Sequence, residues 1–176
     1  MKIALKRIDK EDPDNFFHEI LILSKLQSPF LVHLVGAFTK GDFFYIAMEK
    51  IDQNLYQFLH ENNKKDYTKS NCMQIGYDVA QGLKYLHMNN IIHSDLKSAN
   101  ILITNDHRAK ICDFGTAKLK SLLSSTIAVS VTGGTIGYKA FEIAEKKEKT
   151  TKSSDIFSFG VVLWELQTLQ KPFHDC

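Results

Sequence analysis

The feature that most constrains this chain is a polar segment, residues 93–102, which is followed after a short gap by Asp113-Phe114-Gly115. Within the segment, Asp95, Lys97 and Asn100 place a carboxylate, an ammonium and an amide on one short loop. Together with the second aspartate, these side chains supply a base, a phosphate partner and two metal ligands. The combination favours phosphoryl-transfer chemistry.

Each residue type suits one part of that chemistry. Moving a γ-phosphoryl group requires neutralised phosphate oxygens, a nucleophile held in line and an acceptor for its proton. Magnesium prefers oxygen ligands, so Asn100 and Asp113 are predicted to bind Mg²⁺. Asp95 is predicted to orient the attacking hydroxyl and accept its proton, a role worth about 10²–10⁴ in rate. Lys97 can approach the transferring phosphate as a point charge.

An ordered set of further motifs resembles the eukaryotic-type protein kinase family, whose catalytic and magnesium loops have the pattern just described. Upstream, Ile3-Ala4-Leu5-Lys6 resembles the strand whose lysine contacts the α- and β-phosphates of ATP, and Glu19 resembles the helical partner of that lysine. Downstream, residues 134–142 resemble the end of the activation segment, and residues 154–161 resemble the start of the helix that supports the catalytic loop. The resemblance covers essentially the whole chain.

The resemblance implies an α+β, bilobal fold. Residues 1–49 would form a small partial N-lobe with an antiparallel sheet and one helix, and residues 50–176 a mostly helical partial C-lobe. The chain is expected to be a kinase domain truncated at both ends, because it lacks the Gly-x-Gly-x-x-Gly loop and the later helices of the family. An unpaired sheet edge and an exposed apolar face around Phe159 and Trp164 are therefore expected.

Hydrophobic periodicity predicts the individual elements. The predicted strands are residues 2–7, 31–38, 43–48, 101–103 and 109–111, and the predicted helices are one beginning at Asp12-Pro13-Asp14 and those at residues 70–87 and 154–168. The last helix is rich enough in apolar residues that burial on most sides is expected. The polar stretch after Met48 predicts a hinge between two lobes.

By the same resemblance, ATP would lie between the lobes. Lys6 would hold its α- and β-phosphates with support from Glu19. Met48 would be the gatekeeper behind the adenine, although a plain core methionine has the same signature. Backbone groups from Glu49 to Ile51 would hydrogen-bond the adenine.

Plainer interpretations exist for some of these residues. Lys6 has the alternative of an ordinary surface lysine on an edge strand. Glu11 competes for the lysine partner, but it precedes the proline and lies off the buried face of the helix. His93 is expected to be structural, packed in a column with Phe114 and Leu23.

The substrate class is indicated by Lys97 and Thr135, which match serine/threonine enzymes, and Ser98-Ala99 resembles the tyrosine-kinase-like group. The predicted function is an ATP-dependent protein serine/threonine kinase that uses ATP and Mg²⁺ and phosphorylates a protein hydroxyl. The alternative is a non-catalytic, kinase-like binding or scaffold module, which the missing glycine-rich loop favours. A small-molecule kinase fits less well, because residues 134–142 resemble the protein-substrate branch.

Two residues depart from the family pattern. Ser94 stands where an arginine usually pairs with a phosphorylated residue of the activation segment, so activation by that route is not predicted. The Ser and Thr residues between Gly115 and Gly133 fit regulatory phosphorylation sites and a polar loop equally well. Phe141 replaces the usual proline, and a modest effect is expected.

Composition sets the remaining expectations. The 176 residues are 44% hydrophobic and 24% charged, which is typical of globular proteins. A net charge of +2 with scattered lysines does not favour a nucleic-acid partner. Three cysteines without metal-ligand spacing indicate reduced thiols, and no apolar run is long enough to span a membrane. A cytoplasmic location is expected.

Overall fold

The computed structural model of the chain describes residues 2–61, 67–119, 136–145 and 148–172. Its strands are β1 (Ile3–Asp9), β2 (Leu34–Lys40), β3 (Phe43–Glu49), β4 (Gln53–Asn54), β5 (Ile91–Ile92), β6 (Ile101–Ile103), β7 (Ala109–Ile111) and β8 (Lys118–Leu119). Its helices are α1 (Pro13–Leu23), α2 (Leu55–His60), α3 (Lys69–Met88), α4 (Phe141–Ala144) and α5 (Lys152–Thr168), with 3₁₀ turns at Ser98–Asn100 and Ile136–Tyr138. The predicted α+β fold class is confirmed.

The small lobe is a three-stranded antiparallel sheet in the order β1-β3-β2, with α1 packed against it. The register pairs Lys6 with Ile46 and Ala4 with Met48, so these residues share the sheet face that carries the buried Ile46. Gly41, at a φ of 56°, makes the turn between β2 and β3. The lysine motif therefore lies on the inner face of the sheet.

The second strand begins later than the predicted Leu31. Residues 30–32 pair instead with the larger lobe: Val32 N donates to Ile111 O at 2.9 Å, and Ile111 N donates to Phe30 O at 2.9 Å. Leu31 forms an isolated parallel bridge with the same residue. Residues 30–32 therefore pair with β7 instead of extending β2, because the backbone groups of an extended segment can pair with whichever backbone lies alongside.

Helix α1 begins where the acidic, proline-bearing sequence predicts. The side chain of Asp12 accepts a hydrogen bond from Asn15 N at 3.2 Å, and proline occupies the first turn, where its missing N–H is harmless. The buried Phe16 stacks on Phe44 of β3 with ring centroids 4.2 Å apart. This contact sets α1 on the sheet and directs Glu19 inward.

The larger lobe is organised around α3, which packs against α5 and β7. Its N-terminus is capped by the side chain of Thr68, which accepts from Asn71 N at 3.1 Å. Gly82 allows the close approach of β7, because a Cβ at that position would lie 2.8 Å from Ile111 Cδ1. Between the lobes, the chain passes from the end of β3 at Glu49 to β4, which pairs with β6 of the larger lobe.

Helix α5 is buried on one side only, which corrects the expectation of burial on most sides. Its buried residues are Ser154, Asp155, Ser158, Val162, Glu165 and Leu166. Trp164 is 42% exposed, as expected, whereas Phe159 is partly buried and packs against the core. The apolar residues of α5 are spread around the helix, so they offer no period from which its buried face can be read, and four polar residues turn out to lie on that face. Neither α5 nor any other helix in the described ranges is long and apolar enough to cross a bilayer.

Candidate active site

A lysine and two carboxylates meet between the lobes. Lys6 Nζ lies 2.9 and 2.8 Å from the two carboxylate oxygens of Glu19 on α1, and 2.8 Å from Asp113 Oδ1. The side chain of Glu19 is fully buried, whereas Lys6 and Asp113 are partly accessible. Glu11, the competing glutamate, is exposed. The structure therefore brings together three residues that are separated by up to 107 positions in the chain.

Neighbouring charges favour the ionised forms of Lys6 and Asp113, the two partly accessible members of this group. Burial opposes the ammonium form of Lys6, but the Glu19 and Asp113 carboxylates outweigh it and raise its pKa. Burial likewise opposes ionisation of Asp113, but the charge and hydrogen bond of Lys6 prevail and lower its pKa. Burial raises the pKa of Glu19, and the ammonium beside it opposes that shift. A charged lysine and a charged aspartate thus face the interlobe space.

The backbone around Asp113 is held in place by neighbouring strands and loops. Asp113 itself adopts a left-handed φ of 63°, a conformation that surrounding contacts must hold for a non-glycine residue. Cys112 N donates to Asn100 O at 3.0 Å, and the His93 ring contacts Cys112 O at 3.0 Å. His93 also meets the ring of Phe114 edge-on at 5.5 Å, as predicted for a structural histidine.

The polar loop brings its three predicted site residues into mutual contact. Lys97 Nζ lies 2.9 Å from Asp95 Oδ2, and both side chains are largely but not fully buried. Asn100 Nδ2 donates to Asp95 O at 2.8 Å and to Asp95 Oδ2 at 3.1 Å. Because the amide nitrogen is used in this way, the amide oxygen of Asn100 is the atom left to accept or to bind a cation.

The loop rests on Asp155, the acidic residue near the start of α5. Asp155 Oδ2 accepts from His93 N at 2.8 Å and contacts His87 Nε2 at 2.9 Å, while Oδ1 accepts from Ser94 N at 2.9 Å. The carboxylate is almost fully buried. Two consecutive backbone N–H groups of the loop are thereby satisfied by one side chain 61 or 62 positions away.

Ser94, which occupies the usual arginine position, makes a different contact. Its hydroxyl lies 2.9 Å from Thr150 Oγ1, at the approach to α5, and its φ is 71°. The hydroxyl pair ties the catalytic-type loop to the segment before α5 without any charge. Residues 120–135 lie outside the described residues; they include Thr135 and every Ser and Thr of the predicted phosphorylation segment except Thr116.

The predicted adenine-binding residues lie at the end of β3 and just after it, where the chain passes from the small lobe to the larger one. Met48 is partly buried, packed against the apolar core and paired across the sheet with Ala4. Glu49 N donates to His33 O at 3.0 Å, and Glu49 Oε1 lies 2.6 Å from Lys110 Nζ. Ile51 is partly buried and lies in the short segment between β3 and β4.

The donor set fits a magnesium ion that is shared with phosphates. Asn100 lies directly before β6 and Asp113 shortly after β7, and a hydrogen bond from Cys112 N to Asn100 O links the two segments. No group of three or more His, Cys, Asp or Glu side chains suited to a metal occurs in the described residues. Two protein oxygens are enough for Mg²⁺, which is usually held by one or two of them together with water and substrate phosphates.

Sequence reasoning missed several side chains that hold the site together. The His18 ring on α1 lies 2.5 Å from Ala117 O, which links that helix to the chain just beyond Gly115. Buried Glu165 on α5 contacts three side chains from other elements. Buried Asp78 binds Arg108 through two hydrogen bonds of 2.8 Å. The only sequence signal was a charged residue at an apolar helical position, which is a weak indication of a buried polar contact.

Comparison with known proteins gives a consistent assignment. The protein kinase domain family matches residues 1–176. Serine/threonine-protein kinase CTR1 of Arabidopsis thaliana is 36% identical over 97% of the chain, and serine/threonine-protein kinase STY46 of the same plant is 34% identical over 96%. LysM domain receptor-like kinase 3 of Medicago truncatula is 38% identical over 95% of the chain.

The chain spans only 22%, 28% and 27% of the lengths of these three relatives, respectively, so the likeness concerns part of each. Within that part, the match runs along the whole chain and includes both lobes. The fold, the motif order and these relatives agree with one another: the chain belongs to the eukaryotic protein kinase family, as a catalytic domain of the tyrosine-kinase-like type.

Proposed function

We propose that this chain is the catalytic domain of a protein serine/threonine kinase that transfers the γ-phosphoryl group of ATP to a protein hydroxyl. The observation that carries the proposal is the Lys6 ammonium, held within 2.9 Å of both Glu19 and Asp113 between the lobes. A lysine placed in this way can bind phosphate oxygens while its own position is set by a buried carboxylate. The relatives named serine/threonine kinases support the substrate class.

Each residue has a role that its position permits. Lys6 binds the α- and β-phosphates, Met48 borders the adenine, and Glu49 and Ile51 supply backbone groups to it. Asn100 and Asp113 would hold Mg²⁺, which neutralises phosphate charge when it is bound.

On the opposite side of the phosphates, Asp95 orients the substrate hydroxyl and accepts its proton as the new oxygen–phosphorus bond forms. The bond from the γ-phosphorus to the bridging oxygen breaks, and ADP leaves. Lys97, 2.9 Å from Asp95 in this structure, moves to the transferring phosphate when a substrate is present. A cytoplasmic location for this domain belongs to the same proposal, because ATP is its phosphoryl donor.

The test is phosphate transfer from radiolabelled ATP to a mixture of serine, threonine and tyrosine peptides, with and without Mg²⁺. Asp113→Asn should abolish transfer, since it removes a charge that both Lys6 and the metal require. Asp106→Asn, which changes an exposed aspartate in the β6–β7 turn, is the matched control and should retain activity.

The outcomes separate the candidate functions. Label on serine or threonine that depends on Asp113 supports the kinase. Full activity of Asp113→Asn contradicts the assigned site. Thermal stabilisation of the wild type by ATP without any transfer would indicate a nucleotide-binding module instead.

A further inference from the structure

A second buried polar cluster lies behind the candidate site. We call it the Glu165 cluster; it consists of His60 on α2, Ser98 at the start of a 3₁₀ turn, Tyr138 at the end of another, and Glu165 on α5. All four are buried: the side chains of Glu165 and His60 are 0% and 6% exposed. The cluster therefore joins four elements that come from distant parts of the chain.

The hydrogen bonds of the cluster converge on one carboxylate. Glu165 Oε1 lies 2.8 Å from His60 Nε2 and accepts from Ser98 Oγ at 2.9 Å, while Oε2 accepts from Tyr138 OH at 2.7 Å. No lysine or arginine pairs with Glu165 anywhere in the described ranges. A buried carboxylate is costly unless donors surround it, and here a histidine and two hydroxyls are those donors.

Proton counting shows why the histidine matters. An ionised carboxylate only accepts hydrogen bonds, so every group bonded to Glu165 must supply a proton. The Ser98 and Tyr138 hydroxyls also lie 2.9 Å from each other, so one of them can donate to the other instead of to Glu165. Burial, together with the charge of Glu165, raises the pKa of Tyr138, which therefore keeps its proton to donate. If His60 no longer donates, Oε1 retains Ser98 alone, and the buried charge is under-satisfied. The hydroxyl groups of Ser98 and Tyr138 must then reorient to satisfy the carboxylate.

Both hydroxyl partners belong to segments that border the site. Ser98 follows Lys97 directly and opens the turn that ends at Asn100, whose N–H donates to Lys97 O at 2.9 Å. Tyr138 precedes α4, and its carbonyl accepts from Ser158 Oγ at 2.7 Å. A shift of either hydroxyl moves a segment that carries or borders the reacting groups.

We infer that His60 is a positioning residue for phosphoryl transfer, acting through Glu165 to hold the Ser98 and Tyr138 segments in register. The inference rests on the proposed kinase function for its catalytic readout, but its structural part does not. The side chain of His60 is buried and bonded to Glu165, so we expect its effect to fall mainly on turnover and on the peptide. The KM for ATP should change less, because Lys6 and Met48, which are proposed to contact the nucleotide, lie in the other lobe.

The experiment compares three replacements of His60 in the kinase assay. His60→Gln keeps an amide donor near the position of Nε2, His60→Asn has a donor that is too short to reach, and His60→Leu has none. We expect kcat to fall about tenfold in the Asn and Leu variants, because each loses one charge-assisted hydrogen bond to Glu165. In the Gln variant, kcat should stay within about threefold of the wild-type value.

Tyr67→Phe is the matched control. Tyr67 OH donates to Leu166 O at 2.8 Å, so this change removes a hydrogen bond to α5 one residue from Glu165 without touching the cluster. It should leave kcat unchanged. Equal damage in the Gln and Leu variants, or wild-type kcat in the Asn variant, would overturn the inference.

Amide hydrogen exchange tests the same inference without any catalysis. Exchange at residues 97–100 and 137–140 should rise about tenfold in His60→Asn but not in His60→Gln or Tyr67→Phe. Unchanged exchange in His60→Asn would refute the positioning role even if the protein proves inactive. Absence of transfer by the wild type would instead count against the proposed kinase function, leaving the exchange result to decide the role of His60.

Discussion

Replacing Asp155 by alanine should remove a large part of the free energy of unfolding of this domain. The carboxylate accepts hydrogen bonds from His93 N and Ser94 N and contacts His87 Nε2, all at 2.8 to 2.9 Å, and the side chain of Asp155 is 2% exposed. Alanine offers none of these donors an acceptor. A buried donor without a partner costs about 1–3 kcal/mol.

The size of the effect follows from how deeply each donor lies. The bond from His93 N is buried, while the bonds from Ser94 N and His87 Nε2 are partly buried and regain some water. We therefore expect Asp155→Ala to lower the free energy of unfolding by about 3–5 kcal/mol. Asp155→Asn keeps one acceptor oxygen but turns an NH₂ group toward a donor, so about 2–3 kcal/mol is expected.

Urea denaturation followed by intrinsic fluorescence measures the change, with linear extrapolation to water and a check that the m-value is constant. Asp52→Asn serves as the control, because Asp52 is an exposed partner of Lys50 and should show no measurable change. A loss below about 1 kcal/mol in Asp155→Ala would refute the reasoning, since it would mean that water already satisfies these donors.

Three further predictions follow from buried contacts. Arg108 and other donors outweigh burial and lower the pKa of Asp78 in the folded state. The stabilising effect of Asp78 is therefore full above about pH 4 and is lost as the pH falls through the lowered pKa. The free energy of unfolding in urea should depend less on pH between pH 5 and 2 in Asp78→Asn than in the wild type. Burial raises the pKa of Cys112 to about 12, so iodoacetamide at pH 8 should label it far more slowly in the folded protein than in urea, and equal rates in a mass-spectrometric time course would contradict that. Gly82→Ala should lower the free energy of unfolding by about 1–3 kcal/mol, because the new Cβ would lie 2.8 Å from Ile111 Cδ1. An unchanged midpoint of urea denaturation would contradict this and would mean that β7 can shift at little cost.

Much of the small lobe could be predicted because its signals are local. The acidic cap and proline before α1, the apolar period along it and the turn at Gly41 each act within a few residues. The start of β2 could not be predicted in this way, because residues 30–32 pair with Ile111 across the lobe junction. Strand ends depend on which backbone lies alongside, and that is a property of the tertiary structure.

The candidate site divides along the same line. The proximity of Asp95, Lys97 and Asn100 follows from their spacing on one loop, and the order of the motifs indicated Lys6 and Glu19 as a pair. The additional ion pair from Lys6 to Asp113, and the histidine on α1 that contacts Ala117 O, became visible only in three dimensions. Neither leaves a trace in local sequence.

By itself, the sequence determined which chemical groups are available and the order in which they occur. Short-range spacing sets the loop that carries Asp95 and Asn100, because a few residues of chain cannot separate its ends. The tertiary structure decided which face of α5 is buried and therefore that Asp155 and Glu165 support the loops from behind. That choice rests on satisfying buried donors from segments 27 to 105 positions away, and no periodicity along one helix encodes it.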